Sequence, residues 1–593
     1  MFSRPRVMRG CALAALVSLA ACGGCGGDPP TKENSDNADV PVDDQGGMPD
    51  GGGMTSDGSM GGDMPVPGDM AVRDMAVADM PADMGTDMAI LPMGAGLYVS
   101  GVAGNDANTG AEDAPFASIG AGIAAGALMV AGGMGPVNVI VAGGPSTTPI
   151  IYSEKVVISE GVSVLGGHDC VALPCTWTRD PNQFHSVIAN IDFEGVLAGA
   201  GITRATFLNG LRVRGMDGDP PAAPGSAGIT VNSSAPTISG NVVTGGTVNG
   251  GANFGAEASH GIVINGPMAA PGPLIERNQL MGGSSSNVGS SLQTRNVGNM
   301  APGVAAEVRN NTIVGPMARH SVGIRSFGGS ANFVIANNQI DAGNSPGGGG
   351  AWGIEIGGEA RIDSNLINSN LGGACINPNN WCGGIISESS TTTITNNVIF
   401  GLRSSQSTAV MLAEFEQPAG AVVLNANYLN GGGTTGTGES AAIVVTIGSC
   451  TTCGFQGRVG LIRNNIFDGG VAQNRFGLYE DPAPNRTMVP DALEANAFFG
   501  TNSGSGNYAH YRSNSGTGSA DETNIANVNA FPFAAGLVAN LEIDCMFDAT
   551  NFVLPAGSMC IDAGVATEAP RADRDGDARP MGGGIDLGPD EIQ

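Results

Sequence analysis

The sequence predicts an all-β fold: a right-handed parallel β-helix (a solenoid) with an N-terminal capping helix, preceded by a disordered tether. Three observations predict it. One phrase recurs between about Gly228 and Gly500: an apolar residue, two others, Asn, one other, an apolar residue. Its asparagines are Asn241, Asn278, Asn311, Asn338, Asn365, Asn397, Asn427, Asn465 and Asn496, spaced about 27 to 38 residues apart. A fixed phrase at such a period marks stacked repeats. Second, many copies follow a Gly-led apolar strand, as in Gly261-Ile262-Val263-Ile264 and Gly353-Ile354-Glu355-Ile356. Third, 96 glycines and an aromatic content of 5% suit many turns around a thin aliphatic core. No run holds a 3.6-residue period over three turns, which argues against helical repeats, and the strict six-residue period of a left-handed hexapeptide solenoid is absent.

Each unit therefore reads as strand, turn, strand, Asn bend, strand, loop. The apolar residues three before and two after the Asn both face inward if the chain bends at the Asn, the usual non-Gly residue for left-handed backbone angles. One coil cannot bury its apolar face alone, whereas stacked coils pair their strands in parallel and bury a continuous core. The asparagines are expected to form a ladder, each amide bonding the coils above and below, so that buried polar groups are satisfied.

The termini differ from this pattern. Residues 1–21 carry Arg4, Arg6 and Arg9 and then a short apolar run, the layout of an export signal. Leu19-Ala20-Ala21-Cys22 resembles the lipobox of bacterial lipoproteins, which implies cleavage after Ala21 and a lipid (diacylglyceryl and palmitate-type chains) on Cys22. Multiple acyl chains anchor stably. Gly23 stands where an inner-membrane retention signal would put Asp, so the expected location is the outer membrane or cell surface. Residues 22–95 are rich in Gly, Pro, Asp and Met. Asp-Met recurs at Asp63, Asp69, Asp74, Asp79, Asp83 and Asp87. Such a segment buries too little apolar area to offset its ordering entropy and is expected to be a disordered tether.

The solenoid is expected over 96–540 and a C-terminal segment over 541–593. Leu97-Tyr98-Val99-Ser100, Gly104-Asn105-Asp106-Ala107-Asn108-Thr109-Gly110 and Ala114-Pro115-Phe116-Ala117-Ser118-Ile119 resemble the DUF1565-like start of pectin-lyase-like β-helix proteins. That resemblance implies a capping helix, here Ala-rich and running to about Val130. Met559-Cys560-Ile561-Asp562-Ala563-Gly564, Asp573-Arg574-Asp575-Gly576-Asp577 and Gly584-Ile585-Asp586-Leu587-Gly588 resemble the choice-of-anchor Q segment that ends exported β-helix proteins. It departs from that pattern at Pro589-Asp590, and its expected role is a terminal cap. Asp573, Asp575 and Asp577, at alternate positions, are candidate Ca²⁺ ligands; no other cofactor is indicated.

The formal net charge is −29, and the only lysines are Lys32 and Lys155. A nucleic-acid partner is excluded, because phosphate binding needs Lys and Arg. Of the 11 cysteines, Cys11 lies in the export signal, Cys22 is the lipidation candidate and Cys25 is left over; the others fall in near neighbours: Cys170 with Cys175, Cys375 with Cys382, Cys450 with Cys453, Cys545 with Cys560. An oxidising compartment makes these local disulfides.

Catalytic motifs are sparse. The only Asp-Asp, Asp43-Asp44, lies in the tether, and Ser259-His260-Gly261 lacks the first Gly of a Gly-His-Gly. On adjacent coils Glu276 should meet Arg309, and Arg325 should meet Glu355, with Asp363 as a third candidate beside them. The favoured reading is a surface-exposed, lipid-anchored protein that binds polysaccharide or another envelope component without catalysis. The alternative is a Ca²⁺-dependent polysaccharide lyase or related carbohydrate-active enzyme, with Arg325, Glu355 and Asp363 as its catalytic candidates. The sequence leaves the oligomeric state open.

Overall fold

The computed structural model describes residues 94–592, except 190–193, 219–224, 249–257, 267–270, 296–304, 327–331, 347–348, 369–373, 376–380, 389–390, 414–421, 434–437, 447–459, 482–488, 501–506, 515–518 and 535–537. The chain divides into Met1–Met84 and Gly85–Gln593. The export signal, Cys22 and the tether up to residue 93 lie outside the described residues, and Ala95, expected in the tether, opens the strand Ala95–Val99.

The described chain is a right-handed parallel β-helix. Each coil contributes one long strand and two short ones. Among the described residues most long strands lie in a 13-stranded sheet, and 26 further strands join in a second sheet that holds the short strands leading into and trailing from each Asn corner. A representative coil runs through Ala258–Asn265, Leu274–Glu276 and Gln279–Met281. Parallel register stacks Ile275 on Val308, Val308 on Ile335 and Ile335 on Ile362. Past the corner it stacks Leu280 on Ile313 and Ile313 on Ile340. All are buried. The apolar residues of the phrase thus form the core, each worth about 1.5–3 kcal/mol of burial.

The ladder forms as expected. Asn278 Nδ2 donates to Asn311 Oδ1 at 3.0 Å, and the Asn278 backbone N–H donates to the same oxygen at 2.9 Å. The pattern repeats coil by coil to Asn496 and continues to Asn540, a further member. Glu542 stands where the phrase has its trailing apolar residue, which is why Asn540 escapes the pattern.

The bend is placed differently from the expectation. The left-handed residue is the one before each of the nine phrase asparagines: Gly240 (φ 61°), Arg277 (55°), Asn310 (55°), Ser364 (57°), Ala426 (60°) and their equivalents. The reason is a division of labour. The kink turns the strand, and the Asn after it stays free to aim its amide along the stack. A non-Gly residue in that conformation costs roughly 1–2 kcal/mol.

The N-terminal cap is the helix Ile119–Ala131. Ser118 caps it, and the Glu154 carboxylate accepts the Ile119 and Gly120 N–H groups at 2.7 and 2.9 Å, satisfying donors the helix itself leaves open. Gly122 lets the helix close on the first coils, since a Cβ there would come within 2.9 Å of Val99 and Val139.

At the far end the core is closed by the short helix Ile525–Asn529 and by Phe531 and Phe533 packed on Tyr511 at 5.3 and 5.7 Å. The C-terminal segment 541–593 begins by pairing Leu541–Glu542 with the last short strand, Ala497–Phe499. It runs back along the outside of the late coils. Cys545, Leu554, Cys560, Val565 and Leu587 pack on Val398, Tyr428, Ile466, Ala495 and Ala497. Asn396, Asn425 and Asn464 donate to the carbonyls of Ala572, Glu568 and Val565 at 3.0, 2.8 and 2.9 Å. An apolar outer flank, edged by outward-reaching amides, gives the segment a better seat than the already covered end.

Disulfides join Cys170 to Cys175, Cys375 to Cys382 and Cys545 to Cys560; Cys450 and Cys453 lie outside the described residues. Among the described residues no helix is long and apolar enough to cross a membrane.

Candidate functional site

The long strands alternate, so one set of side chains enters the core and the other forms the outer face of the sheet. Ile324 and Ile354 point in and are fully buried. Their neighbours Arg325 and Glu355 are register partners on the outer face, with Gln293 before them and Ile386 after. Arg325 Nε donates to Glu355 Oε2 at 3.0 Å. His320, from the same strand as Arg325, places Nε2 2.9 Å from that oxygen and Nδ1 3.0 Å from the Gly349 carbonyl. Trp352 occupies the same face, packed with Ile386, and a Cβ at Gly350 would touch both His320 Nδ1 (3.4 Å) and Trp352 Nε1 (3.6 Å).

Glu388 completes the group. Ile385 is in the core, Ile386 packs on the outer face, and Ser387 is buried with its hydroxyl on Thr392. Alternation then turns Glu388 outward. Its backbone N–H donates to the Ile356 carbonyl at 2.7 Å, which fixes it beside the coil that carries Glu355.

The two carboxyls are driven apart in character. Burial pushes the Glu355 carboxyl up, but hydrogen bonds and charge from His320 and Arg325 outweigh it and hold the group below its ordinary value. Burial and then the Glu355 charge push the Glu388 carboxyl up to about 7, against the pull of Arg325 and His320.

Further along the same face lies an aromatic cluster. Trp381 meets Tyr479 at 5.1 Å, Tyr479 meets Phe476 at 5.1 Å, and the Arg512 guanidinium sits 4.2 Å over the Phe476 ring. These side chains are largely shielded from solvent: Gln293 is 7% exposed, Glu355 6% and Trp352 4%. Apolar and aromatic walls with a few convergent polar groups are the usual make-up of a ligand site.

The structure brings Arg325 and Glu355 together but leaves Asp363 elsewhere. Asp363 lies among the leading short strands, where its carboxylate accepts Thr395 Oγ1 at 2.7 Å, Asn396 Nδ2 at 3.1 Å and Arg361 Nη2 at 2.8 Å. The strand that carries it precedes an Asn corner, so it cannot share the long sheet's face. Glu276 meets Arg309 at 3.0 Å among those same short strands, as the register required, and also takes Arg277 at 3.0 Å.

The calcium candidates do not converge. Asp573 Oδ1 accepts the backbone N–H groups of Asp575 and Asp577, and its Oδ2 accepts that of Glu591. The Asp573 carboxylate braces its own turn, and Asp575 and Asp577 are exposed. Among the described residues no three His, Cys, Asp or Glu side chains gather into a cation site.

Sequence reasoning missed His320, Glu388 and Trp352 as members of one face. Counting on from the Arg325–Glu355 pair along the next Gly-led strand, Gly384-Ile385-Ile386, would have reached Glu388.

Fold and face together describe a parallel β-helix that carries a shielded polar and aromatic face on one sheet. No family model and no curated protein matches the chain. Among solved structures it is similar to the complex of XylC with xylose (11% identity, TM-score 0.30, covering 69% of this chain and 76% of the other). It is also similar to the GH136 lacto-N-biosidase from Eubacterium ramulus (10% identity, TM-score 0.29, covering 70% and 67%).

Proposed function

We propose that the protein is an exported, lipid-anchored β-helix that binds a polysaccharide in the outer face of its long sheet. The observation that carries this reading is the gathering of Arg325, Glu355, His320 and Glu388 with Trp352 in one shielded face, next to the Trp381–Tyr479–Phe476 cluster. Fixed polar groups suit sugar hydroxyls, and ring faces suit the apolar faces of pyranoses. The anchor is the lipid on Cys22, with the tether holding the solenoid off the membrane. The calcium-dependent lyase reading gains no support from this face, where the carboxylate next to Arg325 is already ion-paired and the Asp573 turn is internally bonded.

Affinity electrophoresis of the full chain through gels containing xylan, polygalacturonate, alginate or chitosan tests the proposal. Wild type should be retarded by at least one polymer. Arg325→Ala should lose most of that retardation, and Asp363→Ala, on the other sheet, should keep it. Equal retardation of all three proteins would place binding elsewhere and sink the assignment.

A further inference from the structure

We propose that this face also cleaves the glycan it holds, with Glu388 as the acid that protonates the leaving oxygen and Glu355 as the nucleophile at the anomeric carbon. This rests on the binding reading above and deepens it from retention to glycoside hydrolysis.

The geometry supplies the pair. Glu355 and Glu388 stand on neighbouring coils of one face, one coil and two residues apart. Strand spacing and rise put their Cα atoms about 8 Å apart. Side chains of this length can then bring the carboxyls to the roughly 5–5.5 Å separation of a nucleophile and its partner acid. Arg325 and His320 both contact Glu355 Oε2. Oε1 has no such contact among the described residues and is the oxygen offered to the substrate.

Glu388 is half-buried at the strand end, within reach of solvent. Among the described residues, the charged groups that face it are Glu355, Arg325 and His320. On its other side the strand Gln406–Ala413 ends in the uncharged Leu412 and Ala413. Two carboxyls whose surroundings separate their protonation in this way mark the acid and the nucleophile of a retaining glycosidase. A carboxylate as stabilised as Glu355 is a poor proton acceptor, which favours the nucleophile's role over the base's.

The chemistry balances with water as the only co-reactant. Glu355 Oε1 attacks the anomeric carbon and the glycosidic C–O bond breaks. The leaving oxygen takes the Glu388 proton and departs as an alcohol. Water then attacks the same carbon and gives its proton to the Glu388 carboxylate, and the ester bond to Glu355 breaks. Both carboxyls return to their starting states.

The test incubates the full chain with each of the same four polysaccharides and measures new reducing ends, alongside gel retardation and a thermal melt. Wild type should release reducing ends from a polymer that retards it. Glu388→Gln should lower the rate by about 10²–10⁴-fold while the protein still melts cooperatively, at or above the wild-type temperature, and is still retarded. The wild-type rate should fall as pH rises past neutrality, where Glu388 loses its proton. Retardation without new reducing ends overturns hydrolysis and leaves the binding reading standing. Absence of both overturns the two together. Reducing-end release that survives Glu388→Gln and Glu355→Gln in folded protein overturns the assignment of this pair.

Discussion

Replacing Asn365 by Ala isolates what the ladder contributes. Asn365 is fully buried. Its Oδ1 accepts the Asn338 backbone N–H at 2.9 Å and Asn338 Nδ2 at 3.0 Å. Its Nδ2 reaches the carbonyls of Ile335 and Asp363 at 2.9 and 3.0 Å and Asn397 Oδ1 at 3.0 Å. Not every partner is orphaned by the change. Asn338 Nδ2 keeps the Val308 and Ala336 carbonyls, and Asn397 Oδ1 keeps the backbone N–H of residue 365. The Asn338 N–H, however, is left buried without its side-chain acceptor, at about 1–3 kcal/mol, and the bonds of the two Asn365 Nδ2 hydrogens add about 1 kcal/mol each. Asn365→Ala should therefore cost about 3–5 kcal/mol.

The control is the left-handed residue one coil earlier. Asn337 is exposed at φ 55°, so Asn337→Gly relieves the Cβ clash of that conformation and should leave stability within about 1 kcal/mol of wild type. Urea unfolding followed by far-ultraviolet dichroism and by fluorescence reads both variants, with coincident transitions required before free energies are compared. An Asn365→Ala loss below about 1 kcal/mol, or an Asn337→Gly loss equal to it, would refute the reasoning.

Two further outcomes are expected. A carboxyl held up to about 7 in the fold, against about 4.3 in the unfolded chain, binds its proton more tightly when folded. Stability therefore falls as pH rises through that window. Glu388→Gln removes the dependence, so its gain in melting temperature over wild type should be larger at about pH 8 than at about pH 5; equal gains at both would contradict the placement of Glu388. Cys22→Ser should abolish metabolic labelling with a fatty acid and release the protein from the membrane fraction; continued labelling would put the lipid elsewhere.

The sequence by itself determined the solenoid and its ladder. Both are local and periodic: an apolar residue three before an Asn and one two after it recur in the nine coils from Asn241 to Asn496, so each of these coils repeats the same contacts whatever its loop length. Arg325 facing Glu355 and Arg309 facing Glu276 were legible for the same reason, since parallel register carries a pattern from one coil to the next. The capping helix was legible from its Ala-rich run.

Only the tertiary structure decided the rest. The kink sits one residue before the ladder Asn because the amide must lie along the stack, a constraint visible only when neighbouring coils are present. Asp363 is separated from Glu355 by an Asn corner that turns the chain onto another sheet. His320 and Glu388 join Glu355 from strands whose connections differ in length, so counting from the asparagines does not align them. The C-terminal segment is held on the flank through its backbone carbonyls by Asn396, Asn425 and Asn464. Backbone carbonyls are the same in every residue, so no pattern of side chains announces where they dock.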